Sequence, residues 1–280
     1  MKKIGFVDYY ISEWHANNYP EWIDDACKKM GLDYKVSYAW AEECISPIDG
    51  VTTEEWCEKF GAKKCDTLEE LCEKSDVIIV LAPSDPEKHL EYAKTVLKYG
   101  KRTYIDKTFA PCLDEAKDIF ALAERYNTPF FSTSALRYAS ELEKCENCNR
   151  IKTVGGGSNL CEYIIHQVEM VVHKLGIGAT HITAKETEDN AVFSIKYPDQ
   201  REASMTFAYN GSPFIAEMSN CKDTFSEEIQ SNFFETLMEK ILTFFETGKS
   251  DFSGEETLEV MKIRDGVFVS EKSPEKCIEL

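Results

Sequence analysis

The chain has 280 residues, 43% hydrophobic and 29% charged, enough for one large or two ordinary domains with real cores. A formal net charge of −18 argues against nucleic acid as a partner, because phosphate binding needs clustered Lys and Arg. No apolar run reaches a membrane span, the first residues lead into a strand rather than a signal peptide, and the eleven cysteines are scattered, so the chain reads as cytoplasmic with reduced, mostly packing thiols.

Ile4–Val7 predicts a short buried strand. A nucleotide-binding chain would follow it with G-x-G-x-x-G, whose glycines admit a pyrophosphate to a helix N-terminus. Here Asp8-Tyr9-Tyr10-Ile11-Ser12-Glu13 follows, and no glycine occurs between Gly5 and Gly31. With Asp8 and Tyr10 on the first two glycine positions, two bulky side chains stand where phosphate should lie. A helix over Pro20–Met30 carries Trp22, Ile23, Ala26, Cys27 and Met30 on one face, and Gly31 ends it. Tyr34–Trp40 reads as the second strand. Glu42 and Glu43 lie just past it, displaced from the place of an acid that would hold an adenosine ribose.

Helices are predicted over Thr53–Phe60 and Thr67–Lys74. The continuous apolar run Asp76–Pro83 then reads as a central parallel strand, buried on both faces. A helix over Pro86–Tyr99, stopped by Gly100, and a strand over Thr103–Ile105 complete a βαβ unit. Ligands in such sheets bind beyond the carboxyl ends of the strands, which makes Lys107 in Asp106-Lys107-Thr108 a site candidate on geometry alone. A helix over Leu113–Tyr126 and a strand over Pro129–Ser132 continue a doubly wound α/β pattern.

After residue 134 the pattern changes. A strand over Ile151–Val154 runs into Gly155-Gly156-Gly157, and a long helix covers Asn159–Leu175. Strands follow at His181–Glu186, Ala191–Tyr197, Ala203–Tyr209 and Phe214–Ser219, then helices at Glu227–Phe245 and Glu255–Val269. The expected architecture is a Rossmann-like domain over residues 1–134 and an α+β domain over 135–280 with a mostly antiparallel open sheet, whose last helix could pack back on the first domain.

Taken together, these pieces resemble the Gfo/Idh/MocA family of NAD(P)-dependent oxidoreductases over nearly the whole length. The resemblance rests on the strand into Leu81-Ala82-Pro83 with His89 after it, the Gly100-Lys101 turn, and Asp106-Lys107-Thr108 in place of the family's Glu-Lys-Pro. It rests also on Ser134-Ala135-Leu136-Arg137-Tyr138, the glycines before the helix bearing Glu162–Glu169, and Glu255–Val260. The resemblance implies hydride transfer between NAD or NADP and a hydroxyl-bearing carbon of a sugar-like or cyclitol-like small molecule, in a homo-oligomer. It places Lys107 at the junction of nicotinamide and substrate, and Glu162 and His166 in the positions of the family's Asp-x-x-x-His pair. His166 would then move the hydroxyl proton, with Lys107 polarising the oxygen or relaying that proton. Asp8, Tyr9, Tyr10, Ala82, Pro83, Asp106 and Lys107 would line the cofactor.

Bland readings stand beside these. Lys107 without the family is a solvated lysine at a strand end. Glu162, His166, Glu169 and His173 share a helical stripe, but four ligands spread along one helix over about 16 Å cannot meet on one ion. Cys145-x-x-Cys148, with Cys161 and His166 downstream, has spacing like that of a zinc motif, yet Cys161 and His166 fall in the predicted helix and the pair reads as surface thiols, so no metal is expected. Tyr9, Tyr10, Trp14 and Tyr19 could stack on a ligand ring or simply fill space. The missing glycines motivate an alternative function: a non-catalytic family member that has lost cofactor binding and binds a metabolite or protein partner.

Overall fold

Val77-Ile78-Ile79-Val80, each at most 4% exposed, form the strand around which the first half of the molecule is layered. The structure is a computed structural model and describes residues 1–280. In chain order the elements are β1 (Lys2–Asp8), α1 (Trp14–Met30), β2 (Tyr34–Ala41), α2 (Thr53–Phe60), β3 (Lys63–Lys64), α3 (Leu68–Lys74), β4 (Val77–Val80), α4 (Glu87–Val96), β5 (Thr103–Ile105), α5 (Leu113–Tyr126) and β6 (Phe130–Phe131). There follow β7 (Arg150–Gly156), α6 (Leu160–Leu175), β8 (His181–Glu186), β9 (Asn190–Lys196), β10 (Glu202–Ala208), β11 (Ile215–Ser219), β12 (Thr224–Glu228), α7 (Phe233–Thr247), α8 (Gly254–Glu271) and β13 (Ile278–Glu279). The chain divides into two compact units: Met1–Thr133 with Phe234–Asp251, and Ser134–Phe233 with Phe252–Leu280. No helix is long and apolar enough to cross a membrane.

In the first unit six parallel strands run in the order β3-β2-β1-β4-β5-β6. The order reverses between β1 and β4, and the crevice beyond their carboxyl ends is where such sheets bind ligands. This is the doubly wound sheet expected from the alternating pattern. α1 begins six residues earlier than the predicted Pro20, so Pro20 lies inside the helix. The cause is local: the Glu13 side chain caps the new first turn, and Trp14 packs its ring against Trp22 and Phe234 at 5.5 and 5.1 Å. α7 belongs to this unit from Phe234 onward. Its Phe244 lies 4.8 Å from Phe131, its Phe245 6.0 Å from Tyr34, and Arg102 donates to its last carbonyls at Phe245 and Glu246.

In the second unit seven strands run β12-β11-β7-β10-β9-β8-β13. Only the β7–β10 pair is parallel, so the open, mostly antiparallel sheet is as expected. Ile164, Val168 and Val171 of α6 and Val260, Ile263 and Val267 of α8 close its core against Ile151, Phe193 and Met205. The predicted helix from Glu227 is overturned at its start. Glu227 and Glu228 pair with Ala216 and Ile215 in a β11–β12 hairpin, and the helix begins only at Phe233. Alternation of small, charged and apolar residues in Thr224-Phe225-Ser226-Glu227-Glu228 is that of an edge strand, which a helical reading of the acids missed.

Candidate functional site

The loop after β1 carries the first cluster. Asp8 is 1% exposed; its Oδ1 accepts from the amides of Tyr9 at 2.7 Å and Ala82 at 3.1 Å, tying the ends of β1 and β4 together. Its Oδ2 is buried with no hydrogen-bond partner. Burial, followed by the nearby Glu13, pushes the Asp8 carboxyl well above the usual range against the pull of those two amides. Tyr9 and Tyr10 pack edge to face at 5.8 Å, and Lys88 lies over the Tyr9 ring. Ala82 holds a left-handed φ of 55°, rare for a residue with a Cβ.

Glu13, 7% exposed, occupies the N-terminus of α1. Its Oε2 accepts from His15 N at 2.8 Å and its Oε1 from Ala16 N. These are the free amides, at the positive end of a helix dipole, that a pyrophosphate uses in a Rossmann fold. Burial raises the Glu13 carboxyl, opposed by the charge of His15 and by the two amides. Asp8, Tyr10 and Glu13 fall at the three glycine positions of G-x-G-x-x-G, and two of the three are buried carboxyl groups. In this arrangement the loop does not fit a dinucleotide pyrophosphate. The ribose position is engaged too, since Glu42 binds Lys88 at 2.6 Å and accepts from Tyr92 at 2.9 Å.

At the carboxyl end of β5, Asp106 is 1% exposed and collects three partners. Tyr104 donates at 3.0 Å, Tyr19 at 3.4 Å, and His15 Nδ1 lies 2.7 Å away, off the direction of a good hydrogen bond. Burial raises the Asp106 carboxyl, but His15 and Lys107 outweigh it and hold the group below the ordinary carboxylate range. Lys107 is half-buried with its Nζ 3.5 Å from the carbonyl of Pro83, so Asp8, Ala82, Pro83, Asp106 and Lys107 are gathered at the ends of β1, β4 and β5. His89 is fully buried between the carbonyls of Leu81 and Phe109, a brace for this loop rather than a reactive group. Tyr19 is buried with its ring stacked on His15, and Trp14, though 53% exposed, meets the same imidazole edge-on.

In the second unit α6 presents Glu162 and His166 on one face, both half-buried. Asn159 caps the helix by accepting from Glu162 N at 2.9 Å. His166 Nδ1 is 2.7 Å from the Ser134 hydroxyl, and its ring lies edge-on to Phe214 and Tyr163 at 5.5 and 5.9 Å. The glycines explain this cage. A Cβ on Gly155 would fall 2.4 Å from the Phe214 ring, and one on Gly157 would fall 2.2 Å from that of Tyr163. Glu169 turns away to receive Ser134 N at 3.1 Å and Arg137 at 3.2 Å, and His173 pairs with Glu143. Cys145 and Cys148, expected at the surface, are 0% and 9% exposed, because their side chains join the core of the second unit while Glu146 and Asn147 between them stay exposed; burial pushes the Cys148 thiol up to about 11.

Residues missed in the sequence are Glu13, His15, Tyr104 and the link from Ser134 to His166. For Glu13 a signal existed: it sits five residues after Asp8, the third glycine position. His15 carries no local mark, because its partner Asp106 lies 91 residues on, whereas Tyr104 sits two residues before Asp106 on β5, a spacing at which the hydroxyl contact could have been looked for.

The Gfo/Idh/MocA family model, described as an oxidoreductase family with an NAD-binding Rossmann fold, matches residues 38–133. The match begins after the β1–α1 loop. An uncharacterised Escherichia coli oxidoreductase, YhhX, is 40% identical over 57 residues, covering 20% of this chain and 16% of that protein's length. Among solved structures, GenD2 from gentamicin A biosynthesis in complex with NAD is similar with a TM-score of 0.81 at 11% identity, over 100% of this chain and 97% of the other. The apo scyllo-inositol dehydrogenase of Lactobacillus casei is similar with a TM-score of 0.78 at 12% identity, over 99% and 98%. At such identities these two likenesses show the fold. The resemblance read from the sequence is borne out by the three comparisons together.

Proposed function

We infer that this protein, whose residues 38–133 belong to the Gfo/Idh/MocA oxidoreductase family, oxidises or reduces a hydroxyl-bearing carbon of a sugar-like or cyclitol-like small molecule, with the family's NAD or NADP as redox partner. The observation carrying this reading is Lys107, inside the matched segment and on the loop beyond β5, where open α/β sheets bind their ligands. Lys107 is assigned the substrate oxygen, whose charge its ammonium stabilises. His166 is assigned the hydroxyl proton, with Ser134 fixing the ring by its bond to Nδ1. Glu162, one turn earlier on the same helix face, is assigned to substrate hydroxyls. Asp106 is assigned to holding the loop rather than the ligand, since its oxygens are committed to His15, Tyr104 and Tyr19.

The inositol dehydrogenase likeness supports the substrate class, and the homo-oligomer implied by the family is proposed with it. One observation favours a second reading. The Glu13 carboxylate on the α1 amides is what a family member that has given up its cofactor and kept a metabolite-binding shell would show. Titration with NAD, NADH, NADP and NADPH, followed by a turnover screen over sugars, cyclitols and their keto forms, separates the two. The oxidoreductase reading expects turnover that Lys107→Ala and His166→Ala abolish. Absence of both binding and turnover in folded protein overturns it.

A further inference from the structure

The first unit keeps the framework of a dinucleotide site and fills its most specific part from within. The strand order, the switch between β1 and β4, and a 17-residue α1 starting just beyond β1 are all present. Such a helix offers unpaired amides and the positive end of its dipole to an anion. Here that anion is a side chain of the same chain, nine-tenths buried, with each carboxylate oxygen on a different amide. Behind it stands Asp8, also buried, with one oxygen that nothing in the protein satisfies.

We propose that Glu13 is an internal competitor for the phosphate site of α1, so that dinucleotide affinity in this chain is set by exchange of the Glu13 carboxylate for the pyrophosphate of the ligand. The proposal rests on the oxidoreductase reading for the identity of that ligand, and on geometry alone for the occupied amides. Binding requires Glu13 to leave His15 N and Ala16 N and turn toward solvent. Two anions cannot share those two donors, and the buried loop offers them little dielectric screening.

The test is calorimetric titration of wild type, Glu13→Ser and Glu13→Gln with the four nicotinamide dinucleotides and with inorganic pyrophosphate. Serine keeps a short capping oxygen while taking the carboxylate off the two amides; glutamine keeps the shape and a capping oxygen while removing the charge. Circular dichroism checks that each variant is folded, and glutamine covers the case in which serine does not fold. At least ten-fold tighter dinucleotide binding by Glu13→Ser, with Glu13→Gln between it and wild type, is expected. Tighter binding of pyrophosphate alone supports the internal competitor and overturns the cofactor assignment. Equal dinucleotide binding by wild type and both variants overturns the competitor and leaves the oxidoreductase reading intact. No binding of any of the five compounds by folded variants overturns the competitor as well.

Discussion

Replacing Asp106 by asparagine is expected to destabilise the first unit by about 3 kcal/mol. The carboxylate is 1% exposed and has His15 at 2.7 Å, Tyr104 at 3.0 Å and Tyr19 at 3.4 Å. Asparagine keeps one carbonyl oxygen for a tyrosine but faces the other partners with an amide nitrogen, which donates where an acceptor stood. Losing a charge-assisted contact costs about 1.5–3 kcal/mol, and stranding the other half of a buried pair brings such changes to about 3–5 kcal/mol. The retained tyrosine bond puts this case at the lower end. The assay is built in, since all four tryptophans, at 14, 22, 40 and 56, lie in the first unit and their fluorescence in urea follows that unit's unfolding. A double-mutant cycle with His15→Gln should show a coupling of about 1–3 kcal/mol. Because the folded Asp106 carboxyl is held below its unfolded value of 3.8, its stabilisation is complete above that pH and is lost as acid takes the pH down through the depressed value. A loss under about 0.5 kcal/mol in Asp106→Asn, or an additive cycle at neutral pH, would refute the reasoning.

Asp8 has the opposite sign. Its folded carboxyl is raised above 3.8, so folding takes up a proton and wild-type stability falls as pH climbs from there toward the raised value. Asp8→Asn, which cannot ionise, should be more stable than wild type at pH 8, with the gap closing near pH 4 in parallel urea melts. Gly156→Ala would put a Cβ 2.2 Å from the Ala208 carbonyl and 3.0 Å from Gly211 Cα, backbone atoms that cannot rotate away. It should cost the second unit about 2 kcal/mol, read by hydrogen exchange in β7 and β10, and unchanged protection there would contradict it. With an aromatic disulfide reagent at neutral pH, Cys44, Cys161, Cys221 and Cys277 should react promptly. Cys57, Cys65, Cys72 and Cys148, whose thiols burial raises to about 11 or 12, should react only on unfolding, and a fast phase larger than the exposed set would count against their burial.

The fold was legible where the chain repeats a simple physical pattern. Val77–Val80 is apolar on both faces because helices cover both, and Gly100 and Gly31 mark helix ends because both take a left-handed φ. The start of α1 was not legible, because its cap is a glutamate, an uncommon capping residue, and a proline seven residues after that cap has the look of a first turn. Lys107 and His166 could be picked out by position and resemblance. Their supports could not: Ser134 reaches His166 across 32 residues and His15 reaches Asp106 across 91, and sequence spacing carries no trace of such pairs. The Cys145–Cys148 pair misled because turn composition suggests exposure, whereas burial is decided by the sheet that forms above it.

The return of Phe234–Asp251 to the first unit sets an order on synthesis. A ribosome that has released residues 1–133 has delivered six strands and five helices, but not the phenylalanines that cover Phe131, Tyr34 and Trp22. The sheet must therefore wait, with that apolar surface open, while another hundred residues emerge, and the second unit's strands β7–β12 are made before the first unit can finish. A gene fragment stopped at the apparent domain boundary, after Thr133, would encode a protein that lacks part of its own core, whereas the same fragment joined through a short linker to residues 234–251 would carry all of it.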